Sequence, residues 1–143
     1  MTPNRSMPPG IIIPELAYPE VRPAVEWLCR TFAFRERLRI GDHRAQLVLD
    51  GASVIVTRST AEVRRTPASH AMMVRVMDVD GHYAHVRECG ARIVDPPTDY
   101  PYGERQYTVE DLGGHRWTFS QSIADVAPSD WGGTWFEITE QDA

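Results

Sequence analysis

One pattern of secondary structure is written twice in this chain. A strand-like run, Ile11–Tyr18, leads into a helix opened by Pro19-Glu20 and closing near Ala33-Phe34. Three short strand-like runs follow, Arg35–Ile40, Ala45–Leu49 and Ser53–Thr57, separated by the polar turns Gly41-Asp42-His43 and Asp50-Gly51. After a polar stretch at 59–69 the order returns: a strand at Ala71–Val76, a helix after Asp78, a strand at Ala91–Val94, and a hairpin of Gln106–Glu110 and Arg116–Gln121. Glu20-Val21 recurs as Asp78-Val79, 58 residues on (78 − 20). A unit repeated within one chain constrains the fold more than any single residue does, because each copy leaves one sheet face uncovered by its own helix. The expectation is an α+β fold of two tandem βαβββ modules forming a half-open, cup-shaped mixed β-sheet with the helices outside. The first module spans about 11–58, the linker 59–69, the second module about 70–122, and a C-terminal extension 123–143.

Local chemistry supports these boundaries. Pro23 suits the first turn of a helix, where the missing N–H costs nothing, and Ala24, Val25, Leu28, Cys29 and Phe32 give that helix one apolar face. Asp78 is a good N-cap and Gly90 a good C-terminal stop. In the final hairpin Tyr107, Val109, Trp117 and Phe119 fall on one side and Arg116, Thr118 and Ser120 on the other, across the turn Asp111-Leu112-Gly113-Gly114. The two turn glycines are expected to supply positive φ. Residues 1–10 read as a loose tail, 95–103 as a loop, and Trp131, Trp135 and Phe136 as part of an irregular extension.

Composition narrows the classes of partner. The net charge is −5 and no basic stripe is visible, which disfavours nucleic acid. All 15 basic residues are arginine, so lysine-based Schiff-base or phosphate-loop chemistry is excluded. Cys29 and Cys89 form no metal or redox motif and read as free thiols of a reducing compartment. No apolar run approaches the roughly 18 residues of a membrane span. A cytoplasmic protein is expected.

Three stretches, PAVEWLCRTFAF, VRVMDVDGHYAHVRECGARIVDPP and YGERQYTVEDLGGHRWTFSQ, resemble the vicinal oxygen chelate superfamily of glyoxalase I, extradiol dioxygenases and bleomycin-resistance proteins. The resemblance covers residues 11–122. It implies a divalent metal held by four strand positions, one on the first and one on the fourth strand of each module, gripping vicinal oxygens as a Lewis acid. Carried over, those positions are Ile13, Ile55, Ala71 and Thr118. None offers the carboxylate, imidazole or thiolate that a divalent cation needs. No cofactor is therefore expected, with a displaced divalent-metal site as the alternative.

Glu15 stands in an apolar strand. If buried in the cup it is a candidate general base, with a pKa raised by burial. His70 enters the strand that opens the second module and is a candidate hydrogen bonder at the cup edge. Arg75 and Arg116 alternate with apolar neighbours and are placed to fork a carboxylate or pair with Glu15. Gln46, Tyr107 and Thr118 add uncharged polar groups, and Ile13 and Met73 add apolar wall; for Tyr107 a core position with a satisfied hydroxyl competes with a cup position. His82 and His85 are spaced to share a metal, but lack a third ligand and read as solvent-facing. His115 reads as structural.

The function these readings favour is metal-free binding and sequestration of a small, antibiotic-like molecule, similar to the bleomycin-resistance proteins. The alternative is a glyoxalase- or dioxygenase-like lyase or isomerase with a displaced metal or with Glu15 as base. A partner-binding module with a filled cup is a third reading. The resemblance further implies a homodimer.

Overall fold

The computed structural model describes residues 3–59 and 70–135. The polar linker therefore lies almost wholly outside the described residues, as does Phe136. The first module is β1 (Glu15–Tyr18), α1 (Val21–Phe32), β2 (Arg35–Ile40), β3 (Arg44–Leu49) and β4 (Ala52–Arg58). The second is β5 (Met72–Arg75), α2 (Val79–Glu88), β6 (Arg92–Tyr100), β7 (Glu104–Glu110) and β8 (Arg116–Ser122). Each module forms a four-stranded mixed sheet with identical connectivity, β1-β4-β3-β2 and β5-β8-β7-β6. In both, the first strand runs parallel to the fourth and the others pair antiparallel. The α+β fold of two tandem βαβββ modules is as the sequence leads one to expect.

Alternation sorts each sheet into two faces. Leu16, Tyr18, Ala45, Leu47, Val54 and Val56 of the first sheet lie in one apolar core with Tyr107, Val109, Trp117 and Phe119 of the second. Helix α1 covers the inner face of the first sheet, and Phe32 at its C-terminal end reaches the second. The Phe32 ring meets both Trp117 and Phe119, with centroids about 5 Å apart, and Leu28 is fully buried. Rings meeting edge-on or tilted at that distance gain beyond their burial alone. On α2, Asp78 accepts a hydrogen bond from the Gly81 amide at 3.1 Å, as an N-cap does.

A buried carboxylate ties the modules together. Asp111, in the turn before β8, accepts hydrogen bonds from Tyr18 Oη (2.6 Å), Trp117 Nε1 (3.0 Å) and the amides of Gly113 and His115 (2.9 Å each). His115 Nε2 donates to the Ala17 carbonyl of β1 at 2.9 Å. The two turn glycines serve different ends, contrary to the reading above. Gly114 has φ +85°, but Gly113 is required for space: a Cβ there would lie 2.5 Å from the Tyr18 ring.

Four other segments depart from the sequence reading. The first strand begins at Glu15 rather than Ile11, because Pro14 cannot donate to the ladder; its carbonyl instead accepts from the Ile55 amide. The segment read as a loop after Val94 is strand as far as Tyr100. Strand β6 is the sheet edge, where Pro96-Pro97 is tolerated across register shifts. Among its described residues the extension contains a 3₁₀ turn, Pro128–Trp131. Residues 3–10 are not a loose tail but are seated on the first sheet, as described below.

Candidate functional site

The faces turned away from the helix core are where a cup would bind. In the first module that face carries Glu15, Arg44, Gln46, Ser53, Ile55 and Thr57; in the second it carries Met73, Arg75, Thr108, Arg116, Thr118 and Ser120. A cavity of 590 Å³ opens between the modules. Its walls are the β5 run from Met72 to Met77, the entry to β1 (Ile12, Pro14), the β3–β4 turn, and Phe34 and Trp117 from the core. That volume fits a drug-sized ligand, and the lining is hydrocarbon and aromatic apart from Arg75, Asp50 and Ser53.

The residues singled out from sequence do not converge on one point. Met73 and Arg75 line this cavity, and Met73 is 67% exposed. Arg75 makes no ion pair among the described residues, although its field helps hold the Glu104 carboxyl below its ordinary range, behind the larger effect of hydrogen bonds from Ser120 and Ser122. Thr118 is half-buried beside Met73 in register and shares a 2.9 Å hydrogen bond with Thr108. Arg116 is half-buried at the start of β8. His70 is exposed, its ring centroid 5.9 Å from that of His115. Ile13 is half-buried just before β1 and lines a separate cleft against Arg37, Met7 and Pro8.

Three expectations are corrected. Tyr107 faces the core, not the cup. It is 1% exposed, its hydroxyl meets His82 Nδ1, and burial pushes its pKa up. His82 is accordingly not a solvent-facing residue. It packs on Phe119 at 4.1 Å between ring centroids, and burial, with a smaller contribution from the charge of His85, lowers its pKa to about 4. Glu15 is on the cup face but not buried. Its side chain is 56% exposed and takes a 2.5 Å ion pair from Arg44. The burial expected of it is missing, and its partner is Arg44 rather than Arg75 or Arg116.

A network on the second module was missed from sequence. Gln106 Nε2 donates to Ser120 Oγ at 3.0 Å, Ser120 Oγ to Glu104 at 2.6 Å, and Tyr102 Oη to Gln106 Oε1 at 3.1 Å. The signal is the alternation of Glu104, Gln106 and Thr108 opposite Tyr107 and Val109, which extends the strand two residues ahead of Gln106.

The positions that would hold the family metal can be tested against these registers. Glu15 lies beside Ile55 on paired strands, as Met73 lies beside Thr118. Ile13 and Ala71 precede their strands. The donors offered are hydrocarbon, one thioether, one hydroxyl and one carboxylate already paired with Arg44. Among the described residues no three His, Cys, Asp or Glu side chains come together. This set does not fit a divalent cation.

Paired βαβββ sheets with a cavity between them define the vicinal oxygen chelate class of fold. Residues 11–119 match the family model of the glyoxalase/bleomycin resistance protein/dioxygenase superfamily, and the chain belongs to that superfamily. Among solved structures it is similar to TioX from Micromonospora sp. ML1, at 38% identity and a TM-score of 0.65, covering 82% of this chain and all of that one. It shares the fold of TnmS3, an antibiotic binding protein from Streptomyces sp. CB03234 (22% identity, TM-score 0.65, 77% and 93% covered). It also shares that of FosX, a fosfomycin resistance protein from Listeria monocytogenes (14% identity, TM-score 0.66, 80% and 94% covered). No curated protein matches. No helix among the described residues is long and apolar enough to cross a membrane.

Proposed function

We propose that this chain binds and sequesters a small, antibiotic-like molecule without a metal. The observation that carries this reading is the pairing of an intact cup frame with ligand positions that hold Ile13, Ile55, Ala71 and Thr118. The cavity at β5 supports it. Apolar walls desolvate the ligand, and the few polar groups at its rim, Arg75 foremost, orient it. Thr118, Arg116 and Met73 extend the same face. The occurrence of an antibiotic binding protein on this fold is in keeping with the reading. Glu15 as a general base has no support, since its carboxylate is exposed and paired.

The protein acts as a homodimer in the cytoplasm on this reading. Ile12, Met73 and Met77 are each more than half exposed around the free edge of β5, an apolar surface that a second copy would cover. The free thiols Cys29 and Cys89 suit a reducing compartment. The test is a thermal-shift screen of aromatic antibiotics followed by calorimetric titration of any hit. Saturable binding that is lost in Met73→Arg, with the ligand recovered unchanged, is expected. Chemical conversion of the ligand would contradict sequestration, and unaltered binding in Met73→Arg would move the site elsewhere.

A further inference from the structure

The open face of the first module is already occupied by the chain itself. Gln46 and Ser53 are each only 4% exposed and Ile55 only 5%, although all three point away from the helix core. The cover is the N-terminal segment. Arg37 Nη2 donates to the Arg5 carbonyl (2.8 Å), Gln46 Nε2 to the Ser6 carbonyl (2.8 Å) and Ser53 Oγ to the Pro9 carbonyl (2.7 Å). Arg37 also donates to Gln46 Oε1 at 2.6 Å, which fixes the amide so that its N–H₂ faces the segment. Pro8 is buried.

The polarity of these contacts is one-sided. The segment gives its carbonyls to the sheet and turns its N–H groups on itself: Ser6 N donates to Asn4 Oδ1 and Met7 N to the Asn4 carbonyl, both at 3.1 Å. Pro8 and Pro9 have no N–H to give. The face is thus a set of side-chain donors that reads acceptor oxygens on a compact apolar body. No backbone ladder joins residues 5–9 to the sheet, so their hold is three side-chain bonds and one buried proline. The same segment continues into Ile12, a wall of the 590 Å³ cavity, so lifting it would join the cavity to this face.

We propose that residues 5–9 are a built-in occupant of the first module's binding face, displaced by a neutral, carbonyl-rich ligand of amide or ester type. This rests on the small-molecule reading above and specifies the ligand's chemistry: acceptor oxygens matched to Arg37, Gln46 and Ser53, in place of the vicinal oxygens a metal would grip.

The test uses three full-length proteins: the wild type, Pro8→Asp, which unseats the segment without touching the face, and Pro8→Asp combined with Gln46→Leu and Ser53→Ala. The probe is the diketopiperazine cyclo(Pro-Pro), which has two carbonyls and no N–H, titrated by NMR to millimolar concentration. Tryptic cleavage at Arg5–Ser6, read by mass spectrometry, reports seating. Cleavage at least tenfold faster in Pro8→Asp than in wild type, probe binding at least tenfold tighter in Pro8→Asp, and loss of that binding in the triple variant are expected. Equal cleavage and equal affinity in wild type and Pro8→Asp would overturn the occupant. Absence of binding to Pro8→Asp, or binding that survives loss of both donors, would overturn the ligand class. Folding of the triple variant is checked by its thermal melt, and Pro8→Asp/Ser53→Ala replaces it if the melt is lost. Metal found in the wild type would defeat the sequestration reading while leaving these outcomes legible, because none of them depends on a metal.

Discussion

The two modules share one frame and use it differently. Their strands pair in the same order, and Glu15 beside Ile55 in the first corresponds to Met73 beside Thr118 in the second. On the helix side both contribute to one apolar core. On the other side the first module is covered by residues 5–9, whereas the second leaves Met73 and Arg75 open to the cavity. The repeated strand order sets a common backbone, and the two copies differ on the face that the core does not constrain. The lesson is that the core face shows what the fold is, and only the free face shows what each copy is for.

The sharpest way to break this picture is at the joint between the modules. Asp111→Ala removes four acceptor contacts at once, including those of the Tyr18 hydroxyl and of the buried Trp117 indole N–H. A loss of about 3–5 kcal/mol in urea unfolding is expected, since buried donors left unpaired cost more than the bonds themselves. A loss below about 1 kcal/mol would show that the modules hold together without this carboxylate.

The second difference lies between the helices. His82 of α2 sits 58 residues after Ala24 of α1 (82 − 24), and its imidazole is held neutral by burial with a pKa of about 4. Because this value lies below the ordinary 6.5, the unfolded chain takes up a proton that the folded chain refuses. Stability is therefore complete above pH 6.5 and falls as pH drops toward 4. About 2 kcal/mol is expected after allowing for partial exposure. Between pH 6.5 and 5 that decline is measurable by chemical denaturation and should flatten in His82→Gln. A wild-type profile already flat over that window would place His82 in solvent.

A smaller asymmetry marks the helix ends. Helix α2 is followed by Gly90 at φ +79°, but α1 ends on Ala33 at φ +65°, a left-handed conformation that costs a side-chain-bearing residue. Ala33→Gly is expected to raise stability by about 1 kcal/mol, read as a rise in melting temperature. The smallest effect is at Glu15. Glu15→Gln breaks an exposed ion pair with Arg44 and should change stability by about 0.5 kcal/mol or less, with ligand binding unchanged.

How much of this was readable in the residues follows the same division. The strand order, both helices, the Asp78 cap and the inward face of β7 and β8 were legible because burial imposes period and capping chemistry is local. The covered face was not, because MTPNRSMPPG has no periodicity and its contacts run to residues 32 to 44 positions away. Tyr107 and His82 could not be placed from sequence, since an amphipathic ring reads the same on either face until its neighbour is known. Asp111 looked like a turn residue. Only the approach of Tyr18 from the other module shows it to be a hub.

The central claim concerns the cup's contents. Elemental analysis by mass spectrometry of the protein purified without chelator or affinity-tag metal, then dialysed against equimolar Zn, Ni, Mn and Fe(II), tests it directly. The account predicts well under 0.1 metal per chain for every element. One equivalent retained, and lost on substitution of Glu15 or Thr118, would contradict it.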